Sequence, residues 1–206
     1  MLELFSNIRF YILIFSLILS LSLYLLVTNG FLSATLTQTY ALAAVTYLYI
    51  ALLIGPLARV FKNLPLKAHF LKARRAVGVS AFYFASLHYF FAFTQTIGGL
   101  NSFLALDNQS RLAVGLGQIS FLILLLLAVT SFDYMVERLT FNRWKTLHRL
   151  IYLVAFLIVI HALLLGTHFQ NIGGLIPKIF LGALIILIFI QIISVYQTIS
   201  NYKQTL

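Results

Sequence analysis

The chain has 206 residues and a formal net charge of +10; 62% of its residues are apolar and 9% are charged. Soluble domains have about 45–50% apolar and about 25% charged residues, so this composition excludes an ordinary soluble globular protein. Intrinsic disorder is excluded as well, because disordered chains are poor in apolar and aromatic residues. There is no cysteine, which excludes disulfides, thiolate metal sites and cysteine-ligated iron–sulfur clusters. We therefore interpret the sequence as a membrane protein.

Six apolar segments without Asp, Glu, Lys or Arg follow one another along the chain. In order, they are Phe10–Val27, Ala41–Ala58, Ala76–Phe93, Leu112–Ser131, Leu150–Leu165 and Ile179–Tyr196. A helix needs about 20 mainly apolar residues to cross a bilayer, and the shorter segments gain length from flanking polar side chains that snorkel. Strands of a β-barrel would instead show alternation over about ten residues. The sequence predicts an all-α bundle of six transmembrane helices.

The basic residues alternate by loop, which predicts the orientation. Twelve of the 14 fall on one side, and Arg111 and Lys178 fall on the other. The twelve are Arg9, the second-loop residues Arg59, Lys62, Lys67, Lys72, Arg74 and Arg75, the fourth-loop residues Arg138, Arg143, Lys145 and Arg149, and Lys203. By the positive-inside rule, both termini and the two basic loops are expected in the cytoplasm. This placement argues against nucleic acid as the partner of the positive charge and favours the lipid bilayer.

The first span has an alternative interpretation as a signal peptide. Its 18 residues exceed the usual 7–15 or so of a signal-peptide core, and no clear cleavage site follows, so we treat it as a helix. Nine residues precede this span and ten follow the last one. We therefore expect any soluble nucleotide-binding or catalytic module to come from a partner.

Two of the five histidines, His88 and His161, lie inside spans, where an ionisable residue indicates function by default. Each lies four or five residues before the outer end of its span, roughly 6–8 Å below the outer edge at about 1.5 Å per residue. Two imidazoles at one level could bind one planar metal cofactor from opposite faces, and haem is the obvious candidate. The alternative is a hydrogen bond between helices.

Small residues surround His88 on its own helix. Ala81, Ala85 and Ala92 fall within roughly 60° of it, which leaves space for a flat macrocycle. Such residues are also routine helix-packing surfaces in membranes. Arg111, on the outer side, has two interpretations, pairing with haem propionates or helix anchoring, of which anchoring is favoured.

The other histidines are harder to place. His148 precedes His161 by 13 residues, about 20 Å along a helix and roughly 140° around it, so the two do not share a face. The matching level on the third span is Arg75, which is no haem ligand, and a second bis-histidine haem is therefore not supported. His148 is left with three roles: contact with a second cofactor, contact with a quinone, or a position at the membrane interface. His69 is expected in the basic loop, and His168 just outside the fifth span.

Three short motifs resemble one family. Arg74–Gly78 leading to Leu87-His88 resembles the third helix of ferric-reductase-like transmembrane domains, and Trp144–Tyr152 followed by His161 resembles their fifth helix. Gly55–Arg59 narrows the resemblance to the haem-binding subunits of bacterial methionine sulfoxide reductase systems. On this resemblance, residues 1–206 form a single ferric-reductase-like transmembrane domain.

The resemblance implies a multi-pass electron carrier of the bacterial inner (cytoplasmic) membrane, with one b-type haem and, in some members, FMN. It implies that His88 and His161 are the haem ligands and that His148 is a further cofactor-binding candidate. Electrons would come from the quinone pool or a flavin reductase and pass to a periplasmic molybdenum-cofactor subunit that reduces oxidised methionine. The outer loop Gly166–Pro177 matches nothing in the family pattern.

Three other functions remain as alternatives. The nearest is a ferric-reductase-like carrier with another acceptor. A proton-coupled transporter is disfavoured because no Asp or Glu lies inside any span, and acidic residues are common in proton relays. The third alternative is a scaffold protein without a cofactor. A visible absorption spectrum distinguishes the haem carrier from the transporter and from the scaffold.

Overall fold

The computed structural model describes residues 8–165 and 174–204, with side chains described as far as residue 200. Within these ranges the chain is helical and contains no strand. The α-helices are α1 (Ile8–Thr28), α2 (Leu36–Val60), α3 (Lys67–Phe91), α4 (Leu100–Leu104), α5 (Asn108–Val129), α6 (Asp133–Leu139), α7 (Phe141–Leu147), α8 (Leu150–Leu165) and α9 (Leu175–Gln204). A π-helical segment, Ala92–Ile97, extends α3.

Six stretches of helix are long and apolar enough to cross a membrane, which confirms the predicted fold class. They are Ile8–Thr28, Leu36–Val60, Lys67–Ile97, Asn108–Val129, Phe141–Leu165 and Leu175–Ser200. The fourth begins with a capped turn: Asp107 accepts a hydrogen bond from the backbone N–H of Ser110 at 2.9 Å. The second begins with a capping box, in which Thr35 and Gln38 each satisfy the other's backbone N–H.

The third span starts earlier than the sequence indicated. The prediction began it at Ala76, whereas α3 begins at Lys67, so that Arg74 and Arg75 lie on the helix and not in a loop. His69, which the sequence placed in the basic loop, also lies on α3. Charge marks where the hydrocarbon ends, but the hydrogen-bonded backbone continues beyond that point, because long basic side chains extend towards water. The loop between α2 and α3 is accordingly only Phe61–Leu66.

Helix α3 lies at the centre of the bundle and packs against α1, α2 and α5, while α8 packs on α5 and α9 on α2. The central core joins four helices through Leu48, Leu52, Ala81, Leu124 and Val154. Apolar side chains on the outer faces remain exposed, among them Phe15 and Phe189. An apolar exterior is the expected surface of a helix bundle whose solvent is lipid.

Buried hydroxyl groups tie α1 to its neighbours. The Ser16 hydroxyl donates to Ser80 Oγ at 2.8 Å, and Ser20 Oγ lies 2.8 Å from the Tyr83 hydroxyl. The Tyr40 hydroxyl donates to the Ser20 carbonyl at 3.0 Å. Hydrogen bonds of this kind between membrane helices each contribute about 0.6–2 kcal/mol, and they fix the register of α1 against α2 and α3.

At the end of the bundle where α3 begins, one carboxylate joins three segments. Asp133, at the start of α6, forms ion pairs with Arg9 of α1 at 3.0 Å and with Arg75 of α3 at 2.6 Å. The hydrogen bond from Arg75, and then the two positive charges, hold the pKa of Asp133 below its ordinary value of 3.8. Because the folded-state pKa is lowered, the stabilisation is present at neutral pH and is lost as the pH falls through that pKa.

We expect Asp133→Asn to lower the free energy of unfolding at pH 7 by less than about 1 kcal/mol, because the Asp133 side chain is 66% exposed and water screens its pairs. Thermal melting of the detergent-purified protein at pH 7 and at pH 3 measures this. The two proteins should differ at pH 7, and the difference should shrink as the pH is lowered towards the reduced pKa of Asp133. An equal difference at both pH values would show that the ion pairs are not responsible.

Candidate functional site

His88 is held near the end of α3 by the start of α2. Its Nδ1 lies 3.0 Å from the backbone carbonyl oxygen of Thr37. A carbonyl oxygen only accepts hydrogen bonds, so Nδ1 carries the hydrogen. In a neutral imidazole the other nitrogen, Nε2, then has a free lone pair and is the atom available to a metal.

His161 repeats this arrangement on the other side of the bundle. Its Nδ1 lies 2.8 Å from the carbonyl oxygen of Ala113, in the second turn of α5. The same reasoning assigns the hydrogen to Nδ1 and the lone pair to Nε2. A metal-binding histidine usually donates its second N–H to a carbonyl or carboxylate, which fixes the ring and raises the basicity of the ligating nitrogen.

The glycine at 117 makes room for the His161 ring. A Cβ atom built at this position would lie 3.0 Å from both Cε1 and Nδ1 of His161. A glycine within an apolar helix indicates close approach of a neighbour. Here the neighbour is the imidazole, which lies almost directly on the α5 backbone.

The structure brings the two rings together. The ring centroids of His88 and His161 are 6.2 Å apart, and the ring planes are inclined by 75°. Two imidazoles on opposite sides of one metal, with nitrogen–metal bonds of about 2 Å, have centroids about 6 Å apart. Within residues 8–165 and 174–204 no group of three or more His, Asp or Glu side chains could hold a metal ion. The donor set is therefore a pair of imidazoles, and histidine imidazoles are among the side chains that would hold a haem iron.

The surface formed by Ala81, Ala85 and Ala92 on α3 is covered by neighbouring helices at the end that lies farthest from His88. Ala81 is 1% exposed and belongs to the central core with Leu48 and Leu124. Ala85 packs on the same core. At this depth the small residues let helices approach one another, so the space that the sequence predicted for a macrocycle does not extend down to Ala81.

His148 belongs to a different environment. It follows α7, and regular α-helical hydrogen bonding is interrupted at His148 and Arg149 before α8 begins at Leu150, within the spanning stretch Phe141–Leu165. Its Nε2 lies 3.2 Å from Thr130 Oγ1, and its ring lies 4.2 Å from the Trp144 ring. The structure joins His148 to the end of α5 and not to the other two histidines.

Arg111 acts as an anchor. Its guanidinium donates to the carbonyls of Leu104 and Leu106 at 3.2 and 2.8 Å, which closes the turn between α4 and α5. His168 and residues 166–173 of the outer loop lie outside the described residues.

Sequence reasoning identified the two imidazoles but missed what orients them. The hydrogen-bond acceptors on Thr37 and Ala113 are backbone atoms, and no side chain marks them. Gly117 did leave a signal, because it is a glycine within a largely apolar helix. Small residues in membrane helices let a neighbour approach the backbone closely.

Known proteins match this part of the chain. Residues 39–159 match the family described as ferric reductase like transmembrane component, from the first turn of α2 to the penultimate turn of α8. The chain belongs to the ferric reductase-like transmembrane family. The match covers His88 and His148 and ends two residues before His161.

Curated relatives in this family carry a more specific name. The chain is 41% identical over 121 residues to "Protein-methionine-sulfoxide reductase heme-binding subunit MsrQ" of Cronobacter sakazakii, which covers 58% of each chain. It is 40% identical over 122 residues to the protein of the same name from Klebsiella pneumoniae, which covers 58% of this chain and 57% of that one. A Salmonella paratyphi B protein of that name is 38% identical over 122 residues. The match thus spans somewhat over half the length of these ferric reductase-like relatives.

Proposed function

We propose that this chain is a membrane electron-transfer subunit that binds one haem b between His88 and His161. The single observation that carries the proposal is the matched pair of imidazoles. Each donates its Nδ1–H to a backbone carbonyl, which leaves both Nε2 atoms for a metal, and the rings are 6.2 Å apart. The names of the relatives, which call them heme-binding subunits, support the choice of cofactor.

The residues of the chain have defined tasks in this proposal. Bound haem supplies one-electron transfer through its iron. His88 and His161 would hold the group through their Nε2 atoms, and the carbonyls of Thr37 and Ala113 keep each ring in one tautomer and one orientation. Gly117 lets the His161 ring lie against α5. The surrounding apolar helices exclude water, which lowers the local dielectric and tunes the redox potential.

The depth of the pair supports a direction for electron transfer. Both histidines lie towards the ends of α3 and α8 that the positive-inside rule assigns to the outer side. A site near the outer surface suits delivery to a periplasmic acceptor. We propose that this acceptor is a molybdenum-cofactor subunit that reduces oxidised methionine, that the donor is the quinone pool or a flavin reductase, and that the membrane is the bacterial inner membrane.

The first test is the dithionite-reduced minus oxidised visible spectrum of the full chain, purified in detergent after expression with ample haem. We expect sharp b-type bands and about one haem per chain by pyridine haemochrome. Absence of haem would contradict the proposal and favour a scaffold or a transporter. Two haems per chain would contradict the single site. Flavin fluorescence of the denatured protein tests whether FMN binds, as the family resemblance implies.

The variant His148→Ala tests whether haem binding depends on His148 as well as on His88 and His161. The ring contacts Trp144 and Thr130 and neither His88 nor His161, so we expect haem content within about twofold of wild type. We expect slower haem reduction by a quinol or by a flavin reductase, because His148 lies at the inner end of its span. Stopped-flow absorbance measures the rate. Loss of the haem in this variant would contradict the assignment of the pair.

A further inference from the structure

A cavity of about 280 Å³ lies between the end of α2 and the inner part of α9. It is lined by Arg59, Lys62, Gln197 and Thr198. The Arg59 guanidinium is held there by a hydrogen bond from Nη1 to the hydroxyl of Ser194, at 2.9 Å. Two cations, an amide and a hydroxyl therefore face one small volume, and each of them can donate a hydrogen bond.

No carboxylate among the described residues forms an ion pair with the cations of this cavity. It has four acidic residues in all, Glu3, Asp107, Asp133 and Glu137. Asp133 already pairs with Arg9 and Arg75, and Asp107 caps α5 at the opposite end of the bundle. Among the residues that the structure describes, neither Arg59 nor Lys62 forms an ion pair.

A third positive charge adds to the field. Arg74 of α3 lies against α2 four residues before Arg59, and its Nε donates to the Ala51 carbonyl at 3.0 Å. This places the Arg74 guanidinium within the bundle, against Gly55. Arg74 is partly buried, while Arg59 and Lys62 are exposed. Positive charges that lie together without a counter-charge attract an anion from outside the chain.

The surface around the cavity is apolar and faces outwards. Tyr196 and Ile199, on α9 beside Gln197 and Thr198, are 72% and 53% exposed, and Phe61 after α2 is 51% exposed. The cavity thus lies where a spanning helix ends, with apolar side chains beside a cluster of hydrogen-bond donors. This is the level at which the phosphates of phospholipids meet their acyl chains.

We propose that the cavity lined by Arg59, Lys62, Gln197 and Thr198 binds a phosphate group, with the headgroup of an anionic phospholipid as its source. Arginine and lysine are the usual phosphate-binding side chains, arginine with two donors in a planar fork and lysine as a point charge. A bound lipid would join the end of α2 to α9. The site does not depend on the haem assignment.

Native mass spectrometry of the full chain in detergent tests this site. The protein is titrated with phosphatidylglycerol, with phosphatidylcholine and with inorganic phosphate. The test variant is Arg59→Gln with Lys62→Gln. The matched control is Arg143→Gln with Lys145→Gln, which removes the same two charges from exposed positions on α7 at the same end of the bundle.

We expect the test variant to bind phosphatidylglycerol on the order of tenfold more weakly than wild type, and the control to stay within about threefold. Inorganic phosphate could instead displace phosphatidylglycerol, and its binding could depend on Arg59 and Lys62 in the same way. That result would support a phosphate site but would overturn the lipid headgroup as its source. Equal binding of every probe by wild type, test variant and control would overturn the proposal. Lys62→Gln alone, in the α2–α3 loop, gives a second variant whose helices are unchanged, and it should weaken binding in the same direction.

Discussion

Replacement of His88 or His161 by alanine is expected to remove haem from the purified protein. Each substitution deletes one of the two proposed axial ligands, and no other His, Asp or Glu side chain among the described residues joins the pair. Loss of a mere hydrogen-bond partner of a ligand costs about 10- to 100-fold in metal affinity, so loss of the ligand itself should cost at least that. Pyridine haemochrome per chain measures the effect.

Two controls separate loss of a ligand from loss of the fold. His69→Ala makes the same change near the other end of α3 and should retain wild-type haem. Added imidazole should restore the reduced spectrum of His161→Ala, because the free ligand fits the space that the side chain vacates. Wild-type haem content in both His88→Ala and His161→Ala would eliminate this pair as the site.

Gly117→Ala should weaken haem binding without touching a ligand. The new methyl group would lie 3.0 Å from Cε1 and Nδ1 of His161, whereas carbon atoms pack best at about 3.5–4.0 Å. The ring must therefore move by roughly 0.5 Å, which strains its 2.8 Å hydrogen bond to the Ala113 carbonyl. We expect a drop in haem affinity of about tenfold or more, together with a changed redox midpoint potential.

The chain contains a matched control for this change. Gly115 lies on the same helix, and a Cβ atom built there meets nothing within 4 Å. Gly115→Ala should therefore keep wild-type haem and raise helix stability by about 0.5–1 kcal/mol. Haem titration and potentiometry on both variants measure the haem affinity and the redox midpoint potential. If the two alanines behave alike, the contact between Gly117 and His161 does not govern the site.

The number of spans was predictable because each needs about 20 apolar residues, and composition records that requirement directly. The start of α3 was not predictable, because the first turns of this helix carry basic residues that remain helical outside the hydrocarbon. The break after His148 was also missed. It lies within Trp144–Tyr152, a stretch without proline or glycine, where contacts with Thr130 and with the Trp144 ring replace a local signal.

The pairing of His88 with His161 was predictable for a related reason. Both histidines stand at similar distances from the ends of apolar runs, so depth alone places them at one level. Their rotation towards each other depends on helix packing, which sequence spacing does not encode. The contacts of α3 with α2 and of α8 with α5 supply that rotation.

The atoms that orient both imidazoles belong to the main chain. A backbone carbonyl is present whatever side chain the residue carries, so position 37 can change in evolution without loss of the contact to His88. Position 113 is limited by the space around Ala113, which is 0% exposed, and not by hydrogen bonding. Homologues should thus keep two histidines and small residues at 113 and 117, while position 37 varies in identity and does not covary with His88.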